Sequence, residues 1–102
     1  MKERINFEAL TNATGISDRA TLISLYDSFF RTIAEKLEQM KTAKGVELKE
    51  LAHGVKGASY NMWIEKLGAL AFEIEQTGKP ELVTELCNSF DLLFKSYKED
   101  YK

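Results

Sequence analysis

The stretch Leu22-Ile23-Ser24-Leu25-Tyr26-Asp27-Ser28-Phe29-Phe30-Arg31-Thr32-Ile33-Ala34-Glu35-Lys36-Leu37-Glu38-Gln39-Met40 decides the fold class. Its residues Leu22, Leu25, Tyr26, Phe29, Ile33, Leu37 and Met40 recur every three or four positions, which is the apolar stripe of an amphipathic helix packed into a bundle. Upstream, Ser17 reads as the N-cap of this helix, with Asp18 in the first turn where a carboxylate favours the positive end of the helix dipole. A short opening helix over about residues 6–12, with Phe7 and Leu10 on one face, ends at Thr14-Gly15. Downstream, the long helix ends near Lys44-Gly45, and the helical period restarts at Val46.

In the restarted segment Leu48, Leu51, Ala52, Val55, Ser59 and Met62 share one face, while His53, Lys56, Gly57 and Tyr60 share the opposite one. A break is expected at Asn61 to Trp63, because Asn tolerates left-handed geometry. Ile64, Leu67, Leu70, Ala71 and Ile74 then mark another helix, which Gly78 stops. Pro80 suits the first turn of the last helix, whose stripe is Leu82, Val83, Leu86, Cys87, Phe90, Leu93, Phe94 and Tyr97. Alternation of the strand type is hardly present. The expected fold is all-α, an antiparallel up-down four-helix bundle with a short extra N-terminal helix, forming a single domain over residues 1–102.

Composition narrows the function. The chain has 102 residues, 14 Lys and Arg against 16 Asp and Glu, and 44% hydrophobic residues, enough to close a core of its own. The near-balanced charge lacks the basic stripe of a nucleic-acid binder. No apolar run spans a bilayer, and the polar opening segment does not read as a signal peptide, so neither a membrane nor export is expected. Cys87 is the only cysteine, which excludes an internal disulfide and fits a reducing, cytoplasmic setting. With one histidine and one cysteine, a structural zinc site is not expected. Phosphate-cradling glycine motifs and a nucleophile elbow are both missing, so neither an ATP site nor a bound cofactor is expected.

The remaining chemistry gathers at His53-Gly54-Val55-Lys56-Gly57. Residues three and four apart are neighbours on a helix, so Lys56 and Gly57 both border His53 on its outward face. Each glycine inside a helix costs about 1 kcal/mol relative to alanine, so Gly54 and Gly57 ask for a reason. An absent side chain at Gly57 gives a bulky anion or another protein's backbone access to the imidazole. A lysine beside the ring attracts a phosphoryl group and disfavours the imidazolium form. Gly54 and Gly68 read as packing glycines, Tyr60 as equally suited to partner contact or to the edge of the core, and Cys87 as a small buried hydrophobe.

The run His53-Gly54-Val55-Lys56-Gly57-Ala58-Ser59-Tyr60-Asn61-Met62, with Lys66-Leu67, Leu70 and Glu75, resembles the signature of the histidine-containing phosphotransfer (HPt) domain family. The resemblance implies a phosphorelay module that accepts a phosphoryl group from a receiver-domain aspartate and passes it to another response-regulator aspartate. His53 would be the phosphoacceptor, Lys56 its stabilising charge and Gly57 the opening for the partner. Tyr60, Gly54 and Trp63 are candidate partner contacts. The implied partners are response-regulator receiver domains and a hybrid sensor kinase; magnesium would sit on the receiver, and the module would work as a monomer without turnover of its own. Two departures stand out. Trp63-Ile64 replaces the small Gly-Ala pair usual in the family, which allows either an altered turn or an exposed docking aromatic. Ala58 replaces a frequent Ser. The alternative is a non-catalytic helical adaptor, a degenerate HPt domain that docks a signalling partner.

Overall fold

The computed structural model describes residues 3–102, and every regular element among them is a helix. The order is α1 (Phe7–Thr14), α2 (Arg19–Met40), α3 (Gly45–Asn61), α4 (Glu65–Thr77) and α5 (Leu82–Tyr101). Short connections reverse the chain between the long helices, and α2, α3, α4 and α5 pack in a closed ring of neighbours, with α3 against α4 the most extensive contact. This is the antiparallel four-helix bundle expected from the apolar periods. None of the described helices is long and apolar enough to cross a membrane.

The core is made by one apolar face from each long helix, including Ile33, Leu48, Val55, Leu67, Ile74, Leu86 and Leu93, all essentially inaccessible to water. The stripe of α2 differs from the expected one at two positions. Phe30 is buried and Leu25 lies at the margin, 37% exposed. The reason is that α2 serves two neighbours. Phe30 turns toward α5 and meets Phe94 and Tyr97 at ring-centroid distances of 4.8 and 4.9 Å, with Phe90 edge-on at 5.7 Å. Such aromatic contacts add to the apolar burial and draw the stripe toward α5.

The short α1 is pinned to one end of the bundle. Phe7 stacks on Tyr26 at 5.4 Å and on Tyr101 at 4.2 Å. Tyr26 donates its hydroxyl hydrogen to the Met62 carbonyl, tying α2 to the α3–α4 connection, and burial pushes its phenol up to about 12. Tyr97 donates to Asp27 at 2.8 Å and has its phenol raised too, chiefly by burial. Just ahead of α1, the Glu3 carboxylate accepts from the backbone N–H groups of Lys66 and Leu67 at 2.7 and 3.0 Å. It thereby caps α4, whose own N-cap Ile64 has no side-chain oxygen to offer.

Several details of the helix ends differ from the sequence reading, and α2 stops at Met40, short of the expected Lys44-Gly45. Asp18, not Ser17, caps α2: it accepts from the Thr21 N–H at 3.0 Å and the Thr21 hydroxyl at 2.7 Å, which holds its carboxyl below the usual range. α5 begins at Leu82, and Pro80 lies in the preceding turn, where its carbonyl accepts from Val83 N–H. At the end of α3 the left-handed residue is Trp63 (φ 62°), while Asn61 remains helical. Trp63 N–H bonds to the Tyr60 carbonyl and Ile64 N–H to the Ser59 carbonyl at 2.9 Å, the paired closure of a Schellman motif. Burial of Ile64 in the core fixes this geometry, and it places on Trp63 a conformation that glycine adopts freely. The Trp63-Ile64 departure therefore keeps a left-handed stop of the kind glycine favours and leaves the indole 44% exposed. Comparing Trp63→Gly with Trp63→Ala removes the indole in both variants. Trp63→Gly is expected to be the more stable by about 1 kcal/mol in urea unfolding; equal midpoints would contradict a left-handed residue here.

Candidate functional site

The close approach of α3 and α4 sets the site. A Cβ on Gly68 of α4 would stand 2.7 Å from the Tyr60 ring of α3, so the bare glycine is what lets the two helices pack this tightly. Gly68 is a packing glycine, as its sequence context implied, and one face of Tyr60 lies over it while the residue stays 42% exposed. Farther along the same seam, α4 presents Glu75 to the outward face of α3.

His53 projects from the middle of α3 with its side chain 67% exposed. Its Nδ1 lies 2.5 Å from Glu75 Oε2. An ionised carboxylate can only accept, so the hydrogen resides on Nδ1, and the lone pair of the neutral ring resides on Nε2. Lys56 donates to the other oxygen of the same carboxylate, Oε1, at 2.6 Å. The Lys56 ammonium also lies 5.2 Å from the centre of the Phe72 ring. Hydrogen bonding from Lys56, joined by that from His53, holds the Glu75 carboxyl below the usual carboxylate range and keeps it ionised at neutral pH. The sequence reading set Lys56 directly against the ring. In the structure Lys56 and the ring are linked through Glu75, a residue that the sequence ties to the site only through the family resemblance.

Gly57 sits one turn beyond His53. A Cβ there would meet nothing within 4 Å, so no helix crossing requires a glycine at this position. Beside the ring lies an open hollow of about 310 Å³ lined by Val46, Lys49, Glu50, His53 and Glu75, with Val46 well exposed. A hollow of about 360 Å³ elsewhere, between the end of α2 and the start of α5, is lined by Lys41, Pro80, Val83, Thr84, Cys87 and Asn88. Burial pushes the Cys87 thiol up, away from the thiolate that reactive chemistry needs. Trp63 stands ten residues from His53, on the order of 15 Å along α3. Among the described residues no cluster of three or more His, Cys, Asp or Glu is disposed to hold a metal ion.

Comparison with protein families finds a match to the Hpt domain over residues 24–98. The chain belongs to the Hpt domain family. Neither the curated proteins nor the solved structures yielded a match. The matched span runs from within α2 to near the end of α5, so it takes in α3 and α4 entire, most of α2 and α5, and the His53, Lys56 and Glu75 constellation. Hpt domains carry out histidine phosphotransfer in phosphorelays. They are phosphocarrier modules that interact with receiver domains, and they are not ATP-dependent enzymes.

Because the folded-state carboxyl of Glu75 is depressed, its contribution to stability is complete above the ordinary carboxylate pKa and fades as pH falls through the lowered value. Glu75→Gln is therefore expected to lose less stability than the wild type between about pH 5 and pH 3, read as the shift in urea midpoint. Parallel curves would place the depressed carboxyl elsewhere.

Proposed function

We propose that His53 accepts a phosphoryl group on Nε2 from the aspartyl phosphate of a receiver domain and passes it to an aspartate of a second response regulator. The observation that carries this reading is the split environment of one imidazole: Nδ1 held by a carboxylate at 2.5 Å, the rest of the ring in solvent. A fixed tautomer with its lone pair turned outward is what a nitrogen nucleophile requires.

In the forward step the Nε2 lone pair forms the N–P bond as the P–O bond to the donor aspartate breaks, and that bond's electron pair returns to the aspartate carboxylate. Nδ1 keeps its hydrogen in the bond to Glu75, whose negative charge offsets the positive charge gathering on the ring. The reverse sequence delivers the group to the next receiver. Catalysis here is positioning and charge, with no covalent help beyond the imidazole itself. Lys56 fixes Glu75 and brings a cation near the transferring oxygens; Gly57 leaves the clearance that a receiver's loops need. The hollow beside His53 and the exposed parts of Tyr60 and Gly54 extend the surface on which a receiver would rest, and Trp63 marks its far limit. Magnesium belongs to the receiver, the phosphoryl group descends from a hybrid sensor kinase, and the module works in the cytoplasm as a monomeric, single-domain carrier.

Mixing the protein with labelled phospho-receivers should give acid-labile, base-stable label, while labelled ATP alone should give none. His53→Gln should abolish labelling, and label persisting in that variant would overturn the assignment. Gly57→Leu should slow transfer by an order of magnitude or more while leaving the thermal melt unchanged or raised, since glycine inside a helix costs about 1 kcal/mol relative to alanine. Unfolding of Gly57→Leu would instead make the glycine structural.

A further inference from the structure

The side of α3 away from Glu75 carries a second positive charge. Around this helix, at about 100° per residue, the outward positions run in the order Lys56, His53, Gly57, Gly54. Lys56 borders the imidazole on the α4 side. On the α2 side the Lys36 side chain crosses Gly54: a Cβ there would lie 3.2 Å from Lys36 Nζ, 3.4 Å from Cε and 3.7 Å from Cδ. The bare backbone of Gly54 is thus the bed on which the last three atoms of Lys36 rest, one residue from His53. The open strip over Gly57 lies between the two lysines in the order around the helix.

The two cations differ in commitment. Lys56 is engaged at 2.6 Å by Glu75 and lies against Phe72. Lys36 makes no ion pair with any carboxylate among the described residues, even though Glu50, the hollow's other carboxylate, stands one turn before Gly54. A lysine held against backbone with its charge unanswered is suited to an arriving dianion. We propose that Lys36, positioned by the absent side chain of Gly54, is a second cation of the phosphoryl site and attracts the transferring group from the α2 side. This rests on the reading of His53 as acceptor. It also gives Gly54, whose helical position is unfavourable on propensity alone, a specific task.

The experiment is the rate of label transfer from a phosphorylated receiver domain, at subsaturating receiver and over a series of salt concentrations. Lys36→Met should slow transfer about three- to tenfold and flatten its salt dependence, because removal of a charge at the rim of an electrostatic site acts through both. Lys36→Glu should be slower still, and Lys36→Arg should restore most of the rate. Lys95→Met, which removes an exposed charge of the same sign from α5, should match the wild type and thereby exclude an effect of net charge. All four variants should melt with the wild type. Labelling of His53 with unaltered rates in Lys36→Met and Lys36→Glu would overturn this inference and leave the acceptor assignment intact. A wild-type protein that takes no label on His53 from any receiver would overturn both.

Discussion

One carboxylate holds the site together. Glu75 sits on α4, yet the two groups it binds, His53 and Lys56, sit on α3, so the chemistry of the outward face depends on two helices being held in register. That register is set elsewhere: Tyr60 over Gly68 fixes the spacing, the buried Ile64 and the left-handed Trp63 fix the reversal, and Glu3 closes the exposed start of α4. Water still reaches the ion-paired cluster and screens it, so it adds little stability. Its value is orientational, since it determines which imidazole nitrogen faces solvent.

Gly54 and Gly57 of α3 carry a thermodynamic disadvantage that the proposed phosphotransfer would explain. A helix built for stability would not place two glycines within four residues. Gly57 has open space over it, and Gly54 lies under a lysine from α2, so neither is explained by crowding of backbone against backbone. Both make sense as places where something other than this chain's own core has to approach. The loss is tolerable because the buried face of α3, with Leu48, Ala52 and Val55 wholly inaccessible, anchors the helix independently of its outward face.

The sequence made the bundle legible because helical period survives in every long segment, and it exposed His53 by placing it opposite Leu48, Ala52 and Val55. What it hid was relational. Leu25 and Phe30 both lie near the edge of the α2 stripe, and only the packing of α5 against α2 chooses between them. Ser17 and Asp18 are both good caps, and the choice fell to the residue whose carboxylate could reach the N–H and hydroxyl of Thr21 together. Glu75 is 22 residues from His53 and joins it only because α3 and α4 pair, a distance that no local spacing rule covers. Lys36 was invisible for the same reason, with no hint in the α2 sequence that its side chain crosses another helix. Asn61 was a sound choice for a left-handed stop on propensity; burial of Ile64 outweighed it and passed that conformation to Trp63.

The tight reversal between α3 and α4 has a corollary for how this chain tolerates change. Each residue added to or removed from that connection threatens to slide α4 by about 1.5 Å and rotate it by about 100°, which would carry the acidic partner of the imidazole off its seam. Loop length, ordinarily the most forgiving property of a helical bundle, is here a geometric constant of the His53–Glu75 pairing, and changes of length should be better tolerated at the α2–α3 and α4–α5 turns.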